Sequence, residues 1–422
     1  MLLTVALSVA VIVIIRKFDD ESGFLVNIFL LALLARIIFG TILHIFDLRG
    51  FFGGDAVTYD FFGNRLMELW KGQVLPNDSL TYNATRTSGP GWGMNYLVGI
   101  LYFIFDRNIL AAQFFCAVFG AATAPLVYIC AHKVFQNVRV SRLSAILVAF
   151  FPAFIIWSSQ LLKDGLIIFL LVLAITIVLY LQEKFDYFLV AILIFSLFGI
   201  ISLRFYIFYM VAIAVVGSFI IGKSGSVKSV IRGFIAVLIL GLALTYLGVL
   251  RSASDEFDKF GSLERIQTSR EDLSKAGSGF GEDLDVSTTQ GALLALPLGF
   301  IYLMLAPFPW QISSFRAAIT LPEILVWWAM IPLLLSGLWY TVKNRLRNAI
   351  SILIFTFLLT IAYSIFQGNV GTAYRQRAQI QVFLFIFIAV GWTLMKERRE
   401  NQMISKEERR NRMQEKLSNK DK

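Results

Sequence analysis

Long runs of apolar residues, separated by short polar segments, dominate the chain. A membrane-spanning helix needs about 20 mostly apolar residues, with a range of about 17–25. The first run is short, but it lacks the basic start and small-residue cleavage site of a signal peptide, so we expect an anchor. The pattern predicts an all-α polytopic membrane protein with about eleven transmembrane helices, at residues 2–15, 23–46, 109–131, 143–160, 165–181, 187–203, 205–221, 233–250, 321–342, 349–366 and 379–395.

Two further apolar stretches, at residues 91–105 and 291–307, are ambiguous, and lysine and arginine counts assign them. If neither stretch crosses the membrane, 22 Lys and Arg residues lie on one side, mostly in short connections. Short loops rich in Lys and Arg favour the cytoplasmic side. The counts predict an external N-terminus, a cytoplasmic C-terminus, and two interfacial or re-entrant helices on the outer face. Such half-crossing backbone must be buried in protein or line a cavity, which indicates a site on that face.

The predicted organisation follows from these spans. It consists of two N-terminal spans (1–46), a first outer loop with interfacial helices (47–108), a six-span core (109–250), an outer loop with a re-entrant segment (251–320), three C-terminal spans (321–395) and a basic cytoplasmic tail (396–422).

Composition excludes several classes of protein. The chain is 57% hydrophobic and 16% charged, whereas soluble domains are about 45–50% apolar and about 25% charged. A disordered chain and a soluble multidomain enzyme are therefore excluded. The net charge of +10 comes mostly from cytoplasmic connections and the tail, so we predict membrane lipid and no nucleic acid as a partner. Cys116 and Cys130 provide no disulfide framework, and two histidines are too few for a His-based metal site.

The first outer loop carries the first candidate for chemistry. After Gly53 and Gly54, the order Asp55-x3-Tyr59-x3-Gly63 has helical spacing, so these side chains share one face. A carboxylate at the membrane boundary, facing apolar surroundings, suits a general base. The alternative is that Asp55 caps the helix that follows.

Two later outer turns carry charge close to membrane depth. Lys163 and Asp164 follow one predicted span, and Arg204 lies between spans 187–203 and 205–221. Charges at this depth are costly and are usually functional or paired. Arg204 is expected either to pair with Asp164 or to bind an anion. The alternative for Asp164 is helix capping with a local pair to Lys163.

A third candidate precedes the last span. Arg375 and Arg377, beside Tyr374 and a Gly/Asn turn, form a candidate oxyanion cradle, because guanidinium groups bind phosphate bidentately. Interfacial snorkelling is the alternative. Arg36 differs because it lies mid-span, and it is expected to face the bundle interior or to snorkel, with no role assigned.

Other segments are less specific. Residues 251–290 form a charged, Ser/Gly-rich loop that is predicted to be mobile and is a candidate lid. Two prolines within residues 306–310 predict a re-entrant turn. The sequence contains no P-loop, GxSxG or HExxH motif, so nucleotide, serine or zinc hydrolysis has no motif to support it.

Taken in order, these motifs resemble the GT-C fold of polyprenyl-phosphate-dependent glycosyltransferases. The most similar branch includes protein O-mannosyltransferases and the aminoarabinose transferases of lipid A. The resemblance covers roughly residues 54–205 and the region of Arg375. The span at 2–15 is additional to the family pattern. The features that carry the resemblance are Asp55 and Tyr59, the Pro90-Gly91-Trp92 start of an interfacial helix, the basic turn at 131–135, Pro152, Asp164 and the late arginines.

The resemblance implies an inverting membrane glycosyltransferase. Its donor is a polyprenyl-phosphate-linked sugar, its acceptor a glycan, lipid or protein, and its location the outer face of a bacterial plasma membrane. No firm cofactor is implied, and a divalent metal is left open. The implied roles are catalytic base for Asp55, donor or acceptor binding for Tyr59, Asp60, Lys163, Asp164 and Arg204, and lipid-phosphate binding for Tyr374, Arg375 and Arg377.

Two rival functions stay open at this point. A lipid-linked glycan polymerase or ligase of the O-antigen polymerase type also uses a polyprenyl carrier, but it relies on late arginine-rich loops and does not need the Asp55 loop. A secondary transporter would show inverted repeats and broken helices at the midplane. The sequence shows no two-half symmetry, and its polar residues gather at one face.

Overall fold

Helices account for nearly all of the computed structural model, which describes residues 2–18, 21–52, 54–76, 78–87, 91–221 and 261–418 apart from 276 and 313, with scattered positions between 238 and 258. Within these ranges the only β feature is an isolated bridge between Gly279 and Asn369. The helices are α1 (Leu2–Phe18), α2 (Ser22–Ile45), α3 (Arg49–Phe52), α4 (Asp55–Trp70), α5 (Ser79–Thr85), α6 (Trp92–Phe105), α7 (Ile109–Phe135), α8 (Val138–Phe150), α9 (Pro152–Ser158), α10 (Lys163–Leu181), α11 (Tyr187–Leu203), α12 (Phe205–Ile221), α13 (Leu263–Ser274), α14 (Thr289–Leu305), α15 (Phe315–Ile319), α16 (Leu321–Asn344), α17 (Leu346–Phe366) and α18 (Val370–Ser418).

The prediction of an all-α polytopic membrane protein is confirmed. In the described ranges, six helices are long and apolar enough to cross a membrane, or seven if α8 and α9 count as one bent span. Helices α1, α11 and α12, each of 17 residues, are at the short end of what a bilayer requires. Each predicted span overlaps a single helix except 143–160, which falls on α8 and α9, and 233–250, most of which lies outside the described residues.

The two stretches predicted not to cross form α6 and α14. Helix α6 has 14 residues, or about 21 Å at 1.5 Å per residue, which is less than the ~30 Å hydrocarbon core. Helix α14 has 17 residues and contains Pro297. The length of α6 agrees with an interfacial or re-entrant helix, whereas α14 is as long as α11 and α12, so its length does not distinguish the two possibilities.

Three sequence interpretations need correction. The span predicted at 143–160 is broken, because α8 and α9 meet at 54° where Pro152 lacks the N–H that would continue the helix. The last helix begins at Val370, since the Asn369 side chain accepts a hydrogen bond from the Thr372 N–H at 3.2 Å. The arginines expected in a turn therefore lie on α18. The outer loop at 251–290 contains α13, whose Arg270 is buried.

Small residues bring the central helices into close contact. Helices α16 and α18 cross where Gly337 faces the Phe387 carbonyl and Gly391 faces the Leu333 carbonyl. A Cβ atom added to these glycines would lie 1.8 and 2.0 Å from those oxygens. In a membrane bundle, such close backbone approach drives helix association through van der Waals packing. The contact holds the start of α18, with its arginines, against the rest of the bundle.

Candidate functional site

Several helix ends enclose a cavity of about 1200 Å³. The start of α4, the end of α9, the start of α10 and the start of α18 contribute to its wall, together with α15 and the segments on either side of α14. Aromatic, glycine and charged residues are mixed in the lining. The residues that the site argument uses are Asp55, Trp157, Lys163, Arg204, Arg316, Tyr374 and Arg375.

Arg375 joins two carboxylates that are far apart in sequence. Its Nη1 donates to Asp55 Oδ2 at 2.8 Å, and its Nε and Nη2 donate to Asp164 Oδ2 at 2.9 and 2.6 Å. The Asp164 side chain is 1% exposed, whereas that of Asp55 is 50% exposed. Asp164 is therefore a buried anchor, and Asp55 is the carboxylate that faces the cavity.

The helix-capping alternatives for both acids are not supported. Asp55 and Asp164 lie in the first turns of α4 and α10, and the preceding N-cap residues are Gly54 and Leu162. Neither helix has a side-chain cap hydrogen bond. Both carboxylates instead bind Arg375.

Two further cations reach the same cavity. Arg204 Nη2 lies 3.3 Å from Asp164 Oδ1, while its buried Nη1 has no hydrogen-bond partner among the described residues. Lys163 is 7% exposed and makes no ion pair or hydrogen bond within the described ranges. Arg204 therefore pairs with Asp164, as one of the two sequence alternatives predicted. Buried cations are normally paired, so Lys163 and the unpartnered Nη1 of Arg204 indicate an anion-binding wall.

Tyr59 lies behind Lys163. The Lys163 ammonium is 5.9 Å from the centre of the Tyr59 ring. Gly91, at φ +87°, leaves the space that both side chains use, because an added Cβ would be 2.7 Å from Lys163 Nζ and 3.1 Å from the Tyr59 hydroxyl. Burial, helped by the Asp55 and Asp164 charges, raises the pKa of Tyr59, which therefore stays protonated.

Cations outnumber carboxylates at the wall, where Arg316 is a further cation of the lining. Lys163, Arg204 and Arg375 supply three cations, and Asp55 and Asp164 supply two anions. This excess of positive charge suits an anionic group such as a phosphodiester. The arrangement thus combines an exposed carboxylate with cations that are preorganised for an oxyanion.

Asp60 does not join this site. It is buried on α4, where it accepts hydrogen bonds from Tyr102 at 2.7 Å and from Arg107 Nη2 at 2.6 Å. These contacts tie α4 to α6 and the turn after it. Asp60 is next to the helix face that carries Asp55 and Tyr59 but points elsewhere, because consecutive helical residues diverge by about 100°.

Arg377 and Tyr374 also separate from Arg375. Arg377 is completely buried, and its Nη1 donates to the backbone carbonyls of Met304 and Ala306 at 3.0 and 2.9 Å. The Tyr374 ring lines the cavity, but its hydroxyl donates to Glu323 at 2.7 Å. Of the three residues predicted to bind lipid phosphate, only Arg375 presents a guanidinium group to the cavity.

Sequence reasoning missed two residues of the wall. Trp157 packs under Arg375, with 5.5 Å from the guanidinium carbon to the ring centre, and this is a stabilising cation–π geometry. Arg316 lines the cavity and lies 5.1 Å from the Phe51 ring. Two features of the sequence could have indicated them: Trp157 lies shortly before Lys163, and Arg316 lies on the predicted outer face.

No metal cluster stands out in the part of the chain that the structure describes. It contains no group of three or more His, Cys, Asp or Glu side chains that would hold a metal ion. The divalent metal left open by the sequence therefore remains untested.

This fold and site define an all-helical integral membrane protein whose charged cavity is built at helix ends. Residues 92–223 match the family model for dolichyl-phosphate-mannose-protein mannosyltransferase. The match confirms the predicted resemblance in that segment, which includes Lys163, Asp164 and Arg204 and ends before Arg375. No curated protein matches the sequence.

A solved structure confirms the GT-C type of fold. The chain is similar to the crystal structure of ArnT from Cupriavidus metallidurans bound to undecaprenyl phosphate, with a TM-score of 0.54 and 14% sequence identity. The similarity covers 88% of this chain and 60% of the ArnT chain. At this identity the likeness concerns the fold alone.

Proposed function

We propose that the protein is a membrane glycosyltransferase, which moves a sugar from a polyprenyl-phosphate carrier to an acceptor hydroxyl. The observation that carries the proposal is the contact between Asp55 and Arg375 in the cavity wall, where a base and a phosphate-binding group meet. The family match at 92–223 and the ArnT-like fold support it. In the ArnT structure, the bound molecule is undecaprenyl phosphate.

In the proposed reaction Asp55 is the catalytic base. Its carboxylate takes the proton from the acceptor hydroxyl as the acceptor oxygen forms a bond to the anomeric carbon. The bond from that carbon to the phosphate oxygen breaks, and its electron pair leaves with polyprenyl phosphate. A single displacement of this kind inverts the anomeric configuration. The 50% exposure of the Asp55 side chain suits a group that must reach an entering acceptor.

The leaving phosphate would be held by Lys163, Arg204 and Arg375. Negative charge develops on the phosphate as the glycosidic bond breaks, and cations already in position stabilise it without reorganisation. When phosphate binds, it would compete with Asp55 for Arg375, which would free the carboxylate to act as a base. Asp164 would keep Arg375 and Arg204 in place throughout.

We infer that the reaction takes place on the outer face. The lysine and arginine distribution favours an external N-terminus and a cytoplasmic C-terminus, in a bacterial plasma membrane. A lipid carrier fits this location, because nucleotide sugars are not available outside the cytosol. The acceptor class, whether glycan, lipid or protein, stays open.

The test uses the full chain in liposomes with polyprenyl-phosphate-linked sugars and a panel of acceptors, and it measures sugar transfer. Asp55→Asn should reduce turnover by about 10²–10⁴-fold, the usual contribution of a general base. Asp47→Asn is the matched control, because Asp47 is an exposed acid in the same outer segment, and it should retain turnover. If folded Asp55→Asn keeps full turnover, Asp55 is not the catalytic base. If the protein is active only with glycans that are linked to the carrier through a diphosphate, and extends them as chains, the lipid-linked glycan polymerase is favoured instead.

A further inference from the structure

Two helices end inside the bundle, each just before a proline. Helix α8 ends at Phe150 before Pro152, and α14 ends at Leu305 before Pro307. The last carbonyls of any helix lack partners within the helix. In a membrane protein such carbonyls need donors from neighbouring segments, because water is scarce.

Arg36 supplies a donor to the end of α8. This mid-span arginine of α2 is completely buried and has no ion pair among the described residues. Its Nη1 donates to the Ala149 carbonyl at 3.0 Å, and its Nε donates to Ser158 Oγ at 2.8 Å. One guanidinium group therefore bridges the end of α8 and the end of α9, across the bend at Pro152.

The space around Ser158 is tightly limited. A Cβ atom added to Gly120 on α7 or to Gly165 on α10 would lie 2.4 or 2.7 Å from Ser158 Cβ. The Ser158 hydroxyl that Arg36 binds is thus wedged between two helices. It lies next to Trp157, which packs under Arg375.

Arg377 supplies a donor to the end of α14. Its Nη1 donates to the carbonyls of Met304 and Ala306. The indoles of Trp327 and Trp328 on α16 donate to Met304 and Leu305, at 2.7 and 3.0 Å. Side chains from two other helices therefore satisfy three successive carbonyls at the end of α14.

Each helix end leads, past its proline, to residues of the cavity wall. Ile156 and Trp157 follow the end of α8, and Pro307, Phe308 and Gln311 follow the end of α14. The position of each part of the wall therefore depends on where α8 or α14 ends and on how the chain bends after it. For Arg36 a guanidinium group suits this task, because its Nε and Nη1 donors lie in one rigid plane and reach two segments, whereas a lysine is a single point charge. Arg377 uses Nη1 for all its carbonyl contacts, and its Nε and Nη2 have no partner among the described residues.

We propose that Arg36 and Arg377 are positioning residues, each of which fixes the end of one interrupted helix and thereby the cavity wall that follows it. Neither touches substrate. Arg36 acts through Ser158 and Trp157 on Arg375, and Arg377 acts through the end of α14. The inference rests on the proposed function only for its effect on catalysis.

The test measures the two walls separately, by the labelling rate of a single introduced cysteine with a membrane-impermeant thiol reagent. Ile156→Cys reports the α9 wall and Gln311→Cys the wall after α14, since both residues line the cavity. The native Cys116 and Cys130 are buried and serve as an unlabelled background. No sugar donor is needed, so the result is independent of whether the proposed function is correct.

Arg36→Lys should change labelling at Ile156→Cys by about tenfold, the size expected from losing one buried hydrogen bond to a charged group. It should leave Gln311→Cys unchanged. Arg377→Lys should show the opposite pattern. Equal effects at both positions would mean general loosening and would overturn the proposal, as would no effect at either.

Two milder substitutions test the same contacts in case the arginine variants do not fold. Ser158→Ala removes one Arg36 contact and Trp328→Phe removes one donor at the end of α14, and each should reproduce its own wall's change. In sugar-transfer assays, the same variants should lower kcat/KM about tenfold per folded molecule, because a misplaced group of the site costs rate. An unaltered kcat/KM with altered labelling would contradict the positioning role. If the wild-type protein transfers no sugar, the proposed function fails while the labelling result stands.

Discussion

Replacing Lys163 with methionine should make the protein more stable and less active. Lys163 is 7% exposed and has neither an ion pair nor a hydrogen bond within the described ranges. Its ammonium lies in the cavity wall, where Arg204 and Arg375 repel it and Asp55 and Asp164 attract it without forming an ion pair. Burying an unpaired charge is costly. A destabilising lysine at this position is expected if an anionic substrate supplies its missing partner.

The two effects have opposite signs and similar sizes. Methionine has nearly the same length and no charge, so Lys163→Met should raise the free energy of unfolding by about 1–3 kcal/mol. The substitution removes one positive charge from the wall. Loss of one charge-assisted hydrogen bond to phosphate should weaken donor binding by about 2 kcal/mol, which is more than tenfold in Kd.

Thermal unfolding of the detergent-purified chain and KM for the polyprenyl-phosphate sugar measure both effects. Lys133→Met is the matched control, because Lys133 forms an ion pair with Glu183 and does not line the cavity. That variant should gain no stability and keep its KM. If Lys163→Met lowers stability, or leaves KM unchanged, then Lys163 is not an unsatisfied phosphate ligand and the reasoning is refuted.

Two further substitutions have matched controls. Asp164→Asn should lower the free energy of unfolding by about 3 kcal/mol and abolish donor binding, since it removes the carboxylate partner of Arg204 and leaves Arg375 paired with Asp55 alone. Asp60→Asn should destabilise the protein less and keep its KM. Thermal unfolding measures the stability and sugar-transfer kinetics measure KM, and an equal KM for the two variants would contradict this prediction. Gly91→Ala should raise KM for the donor, because the new Cβ meets Lys163 Nζ. Gly72→Ala, also at positive φ but in open space, measures backbone strain alone, so a similar KM for both would argue against a steric effect on Lys163.

The arrangement of spans was predictable because it depends on local composition. A helix that crosses the bilayer must satisfy its own backbone polar groups and present apolar side chains, and both requirements are visible in one segment at a time. Arg36 was recognised as a residue that must face the interior or snorkel, and the structure buries it completely. Its partners, Ala149 and Ser158, could not be identified, because they belong to other helices.

The candidate site was predictable in part. Asp55, Asp164, Arg204 and Arg375 were singled out as charges near membrane depth, and they now form one connected group. Arg377 was grouped with Arg375 because a turn was expected there. In a helix, residues two positions apart point about 200° from each other, so the start of α18 sends Arg377 away from the cavity.

By itself, the sequence determined that this is a helical membrane protein, roughly where its helices lie, and which polar residues are too costly to be incidental. Those properties follow from the free energy of transferring side chains and backbone into a bilayer, a quantity that each segment carries alone. Only the tertiary structure decided which charges share a cavity. That depends on helix phase, on the angle of the bend at Pro152 and on which helices the glycines contact, and no single segment specifies these.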